Sequence, residues 1–268
     1  MHTWHWQTWE ELPYLTCSLL EPWSHGFFTQ QFSPRLPSEL VAVLQPEAEV
    51  YRVKQVHGNT VLIPSEIAIQ ATEKMVDENL GSELPPADGL VTEKPQQAVW
   101  VCSADCTPVL IGDRHTGQVA AIHAGWRGTG ARIVPQAIAR LLDSGSQLEN
   151  LLFALGPAIA GEVYQVLETV AAQVGTSILP VDSSVSVESI LETLQSLPNS
   201  PILPDAQAGR VRLDVRRVNV MQLEQLGIHP EQIAIAPHCT YQEPDHFFSY
   251  RRDKLKKVQW SGIVSLQT

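Results

Sequence analysis

Apolar positions along this chain fall mostly into short runs rich in Val and Ile. That pattern predicts strands at 49–53, 60–64, 98–102, 109–112, 118–123, 151–155 and 232–236. Between some of them, apolar residues recur every three or four positions, which predicts helices over 131–143, 163–174, 186–196 and 214–226, the last stopped by Gly227. Pro, Ser, Gly and Glu gather at 65–86 and 197–210, which read as loops, and no repeat or long linker divides the chain. The expectation is a single domain over residues 1–268. Two apolar arms flank the turn-forming residues 113–117 and read as a β-hairpin, so strands and helices do not alternate strictly. The pattern therefore predicts an α/β domain of mixed α+β type with mixed sheets, not a doubly wound parallel one.

Composition, charge and the cysteines add to this picture. With 44% hydrophobic residues in 268, the chain can build a sizeable core. A net charge of -11 without a basic block disfavours nucleic acid and anionic membrane as partners. The N-terminal residues lack the cationic and apolar parts of a secretory signal, and no apolar run reaches the roughly 20 residues of a membrane helix, so the expected location is cytoplasmic. Cys17, Cys102, Cys106 and Cys239 are too few and too scattered for a disulfide framework, which leaves a ligand or nucleophile among them.

The hairpin supplies the first candidate chemistry. A four-residue loop at 113–116 places Gly112 opposite Gly117 and Cys106 opposite His123. Directly opposed side chains have Cβ atoms about 4.5–5.5 Å apart, which suits two ligands of one metal or a hydrogen-bonded thiol and imidazole. A slip of one residue, as Pro108 can cause, would spoil this. His57 lies in a Gly-containing break between two predicted strands and is a third candidate. A lone His or Cys more often simply packs; the opposition of Cys106 and His123 is what raises their standing. After His123, a glycine-rich stretch through Gly128 and Gly130 runs into the predicted helix. It reads either as a tight turn or as an anion site, in which backbone N–H groups near Gly128 act with Arg127. Arg251 or Arg252, beside aromatic residues, reads as an anion clamp or as a surface charge.

Taken together, Gln55-Val-His-Gly58, Ala87-Asp-Gly-Leu90, Ser103-Ala-Asp-Cys-Thr-Pro-Val109, His123-Ala-Gly-Trp-Arg-Gly128, Leu155-Gly-Pro-Ala-Ile159, Cys239-Thr240 and Phe247-Phe-Ser-Tyr-Arg-Arg252 are more specific than any one of them. In this order, from about residue 50 onward, the chain resembles the polyphenol oxidase (laccase-domain) family, also called the YfiH family. The resemblance implies a layered α-β-β-α sandwich shared with a toxin deamidase, and a zinc site made by His57, Cys106 and His123. It also implies purine nucleoside phosphorylase activity on adenosine, inosine and methylthioadenosine, with adenosine deaminase activity; some relatives are called peptidoglycan editing factors. Two departures stand out. The stretch from His25 to Pro34 lacks the family's glycine pair, and 160–166 differs from the family's usual continuation.

Three protein ligands leave zinc an open position for water, as in a catalytic site. Deamination would use that water with Asp105 moving protons, although Asp105 can equally orient its loop. Phosphorolysis needs an anion site beside the nucleoside, for which Arg127, Gly128 and Arg251 are the candidates. The expected partners are a small-molecule nucleoside and phosphate, for a monomer or weak homodimer. Three rivals stand beside this reading: a metal-free cysteine hydrolase using Cys106 and His123, with peptidoglycan precursors as its substrate; a copper-dependent polyphenol oxidase, for which one Cys and two His are a thin ligand set; and a binding protein with a structural zinc completed by His238 or Cys239.

Overall fold

The apolar runs around Ile111 and Ala121 are buried at every position because they form strands covered on both faces. A computed structural model of the chain describes residues 2–68, 84–180 and 185–266. Its strands are β1 (Trp4–Trp9), β2 (Leu12–Cys17), β3 (His25–Phe28), β4 (Glu49–Tyr51), β5 (Val61–Leu62), β6 (Gly89–Val91), β7 (Gln97–Ser103), β8 (Thr107–Asp113), β9 (Val119–Ala124), β10 (Leu151–Leu155), β11 (Gln165–Leu167), β12 (Ile202–Pro204), β13 (Arg210–Leu213), β14 (Ile233–Ile235) and β15 (Gln259–Val264). Its α-helices are α1 (Pro37–Leu44), α2 (Trp126–Gly130), α3 (Ile133–Asp143), α4 (Glu168–Gly175), α5 (Val187–Ser196), α6 (Val215–Gln225) and α7 (Tyr250–Asp253).

Two six-stranded sheets result, in the orders β1-β2-β3-β15-β7-β4 and β14-β10-β8-β9-β6-β5, with a small sheet β11-β13-β12. Both large sheets are mixed, since β4 runs parallel to β7, β5 to β6 and β14 to β10. The two-residue period of a strand sorts its side chains between layers. Leu110, Val119 and Ala121 point towards the first sheet, where they meet Val99, Val101 and Ile263. Val109, Ile111, Ala120 and Ile122 point the other way, onto Ile133, Ala137 and Leu141 of α3 and Leu223 of α6. On the far side, Trp100 and Val264 pack against Leu40 and Val41 of α1. The layers are thus α-β-β-α, the expected sandwich. A further core joins the small sheet to α4 and α5. Among the described residues, no helix is long and apolar enough to cross a membrane.

Several local expectations are corrected. The hairpin loop is 114–117 instead of 113–116, because Asp113 stays in the ladder while its Oδ1 accepts from the His115 and Thr116 N–H groups. His123 consequently faces Pro108, and Thr107 faces Ala124. The proposed helix over 163–174 begins as strand β11 and turns helical only at Glu168. The glycine-rich stretch after His123 is itself the short helix α2. Strand β12 lies inside the predicted 197–210 loop. Of the other predicted loop, 65–68 are helical instead, and residues 69–83 lie outside the described residues.

Candidate metal centre

The shift in hairpin register is two residues, and a shift of two leaves every side chain on its original face. Cys106 and His123 therefore still share a face, as diagonal neighbours across the ladder. Gly125 stands beside the thiol: a Cβ there would lie 2.8 Å from Cys106 Sγ. The absence of a side chain at Gly125 is what gives the sulfur its room. His57 completes the group, its ring edge-on to His123 with centroids 4.8 Å apart. One ligand atom from each of His57, Cys106 and His123 lies within 4.8 Å of the others. Two imidazole nitrogens and a thiolate suit zinc, and three ligands leave a fourth position open.

Asp88, quoted only as part of a motif in the sequence, organises this group. It is fully buried, and its Oδ1 accepts from His123 Nδ1 at 2.8 Å, which leaves His123 Nε2 for the cluster. The same carboxylate accepts from the backbone N–H groups of Val56, His57 and Gly58. These bonds hold His57 in a left-handed conformation, φ +60. Gln55 fixes the loop from the other side, its amide making two bonds of 2.7 Å to the backbone of Cys102. Asp88 stands immediately before β6, and only the fold brings His123 and the 56–58 backbone to it, where a buried carboxylate requires such partners.

Charge follows from this packing. Burial raises the Asp88 carboxyl, but the His123 hydrogen bond and the Gly58 N–H outweigh it and hold it below the usual range. Burial also opposes a Cys106 thiolate, yet the charge of His123 and hydrogen bonds from both histidines bring the thiol down to about 6. For His123, the Cys106 charge and the Asp88 hydrogen bond overcome burial and raise it to about 9. Without metal, these shifts favour a thiolate and imidazolium pair. Cys102, four residues away, is pushed up to about 11 by burial.

The cluster opens on a cavity of about 590 Å³, within the roughly 300–1,000 Å³ of small-molecule sites. Trp126, Tyr164 and Tyr250 give it aromatic walls, and Arg127 and Arg251 line it. Tyr164 comes from the divergent 160–166 segment. Asp105 is also at the wall, but Thr240 Oγ1 donates to its Oδ1 and the Arg251 N–H to its Oδ2. Those contacts favour the orienting role over proton transfer; Asp105 holds φ +92, and its carbonyl accepts from Ile159 N. Gly128 is not at the cavity but against the Gly58 carbonyl, where a Cβ would come within 2.8 Å. Arg252 spends its donors on the carbonyls of Thr240, Tyr241 and Phe247 and on Asp253, so Arg251 is the arginine that faces the cavity. Cys239 Sγ accepts from Ala160 N and His238 pairs with Glu243; neither joins the cluster.

Residues 37–265 match the family described as multi-copper polyphenol oxidoreductase laccase. The chain belongs to this family. Among the relatives of this laccase-family chain is a purine nucleoside phosphorylase of Synechocystis, 54% identical over 98% of this chain and 97% of the relative. Another, purine nucleoside phosphorylase YfiH of Shigella flexneri, is 32% identical over 75% of this chain and 68% of the relative. The family fold is seen in YlmD from Geobacillus stearothermophilus, with TM-score 0.77, 22% identity and coverage of 98% and 99% of the two chains. A YfiH protein of Bacillus licheniformis has TM-score 0.72 at 22% identity, covering 95% and 96%. Among the described residues of this family member, the His57, Cys106 and His123 group is the one group of three or more such side chains placed to hold a metal.

Proposed function

We propose that this chain is a zinc-dependent purine nucleoside phosphorylase acting on adenosine, inosine and methylthioadenosine, with adenosine deaminase activity. The observation that carries the reading is the three-ligand group at the base of a cavity that has both aromatic walls and arginines. The 54% identical relative named a purine nucleoside phosphorylase supports it. Zinc on this donor set supplies a Lewis acid with an open position. The aromatic wall of Trp126, Tyr164 and Tyr250 suits a purine ring, and Arg127 and Arg251 suit phosphate. A phosphate oxygen forms a bond to the anomeric carbon as the bond from that carbon to the base nitrogen breaks; the base departs with the bonding pair and takes up a proton. Asp105 keeps the Cys106 loop in place throughout.

Protein from metal-controlled medium is expected to hold about one zinc, from the three-ligand site, and to release adenine from adenosine only with phosphate. His57→Ala and Cys106→Ala should lose both metal and turnover. Copper-dependent activity of a zinc-free protein would overturn this. A second reading, a metal-free cysteine hydrolase acting on peptidoglycan precursors, is favoured by the lowered thiol of Cys106 beside His123. It predicts that His57→Ala stays largely active, so the same variant separates the two.

A further inference from the structure

The cavity has a second wall that the nucleoside reading does not use. Residues 254–258 cross its mouth between α7 and β15, and Lys254, Lys256 and Lys257 line it together with Arg127 and Arg251. Five of the chain's 18 Lys and Arg thus meet at one cavity of a protein with 29 Asp and Glu. Elsewhere some arginines take carboxylate partners, as in Arg35 with Glu10, Arg140 with Glu66, Arg212 with Asp205 and Arg217 with Glu224, and others, such as Arg132 and Arg216, bond backbone carbonyls. Among the described residues, none of the five cavity cations has one. Aromatic faces hold most of them instead: Arg127 over Trp126 at 4.1 Å, Arg251 over Tyr164 at 4.6 Å, Lys254 over Tyr250 and Lys257 over Phe248, both at 5.6 Å. Stacking positions a guanidinium through its face and leaves the N–H donors at its edge available. Arg251 uses one of these on the Gln165 carbonyl. The single carboxylate at the wall, Asp105, is already taken by Thr240 and the Arg251 N–H.

Cations gathered without acids, in an otherwise acidic molecule, fit a ligand with more than one negative charge. We propose that the 254–258 strap, through Lys254, Lys256 and Lys257, forms with Arg127 and Arg251 a phosphate-binding wall. It takes inorganic phosphate and holds the sugar phosphate made from it. Among the described residues, no hydrogen bond holds the backbone of 255–258, while Lys254 N is tied to Tyr250 O and the Gln259 side chain to Phe248. The strap is fastened at its ends. This inference rests on phosphorolysis being the reaction.

The test is the Lys256→Ala/Lys257→Ala double variant, with Lys94→Ala as a control that removes a distant charge. The double variant should raise the KM for phosphate about tenfold, leave the KM for adenosine and the zinc content unchanged, and leave Lys94→Ala like the parent. Calorimetric titration with inorganic phosphate and with ribose 1-phosphate gives a readout independent of turnover: both should bind the parent at one site and weaken in the double variant. Phosphate-dependent turnover with an unchanged phosphate KM in the double variant would overturn the wall while leaving the phosphorylase reading intact. Phosphate binding that is lost in the double variant, in a protein that never splits nucleosides, would keep the wall and remove the phosphorylase. Absence of phosphate binding to the parent removes the wall.

Discussion

His123 stands on β9, almost fully buried, with its ring fixed by a carboxylate, whereas His57 sits exposed on a loop whose backbone that same carboxylate holds. Asp88 thus serves one histidine through its side chain and the other through three N–H groups. One half of the centre is built into the sheet, and the other half is a loop clipped onto it. The two histidines should be equally needed for metal and unequally needed for the fold.

The largest effect expected from this difference is on the metal-free protein. His123→Ala leaves Asp88 buried without its charged partner and should cost about 3–5 kcal/mol. His57→Ala, on the exposed loop, should stay within about 0.5 kcal/mol. Urea unfolding of both apo variants measures this, and equal losses would erase the distinction. Next, Asp88→Asn should weaken zinc binding about 10–100-fold, the usual effect of losing the partner that orients a ligand; chelator competition measures it, and unchanged affinity would free both histidines from Asp88. A third effect concerns pH. His123, raised to about 9 from 6.5, adds stability that is complete below 6.5 and lost as pH rises through 9. Cys106, lowered to about 6 from 9.0, adds stability that is complete above 9.0 and lost as pH falls through 6. In the apo protein, alkylation should therefore report an apparent pKa of about 6 for Cys106, while Cys102, near 11, stays unmodified at neutral pH. A Cys106 that reacts only above pH 8 would break the pairing with His123.

The layers were legible where a strand is covered on both faces, as at Val109 or Phe153, because such segments are apolar at nearly every position. They were not legible at β1, whose alternating Trp, His, Gln and Thr are largely exposed and carry no core signal, or at β11, where Val163 to Leu167 fits a helical spacing that the partner strand β13 overrides. At the site, the hairpin brought Cys106 and His123 together on paper through the wrong register, and the error did no harm because it was even. Asp88, Tyr164 and the strap lysines escaped because their roles depend on which distant segments the fold sets beside them.

Strand β15 pairs with β3 on one side and β7 on the other, in the middle of its sheet, and Asp105 is tied to Thr240 and Arg251. Both joins span well over a hundred residues of chain, so they close against a large loop entropy and belong late in folding. While the chain is being synthesised, β3 and β7 stand apart, each with an unpaired edge, until residue 264 has emerged. For that interval the nascent protein has no finished cavity and offers strand edges to any neighbouring chain. The hazard of the interval is aggregation, and its length is set by the ribosome.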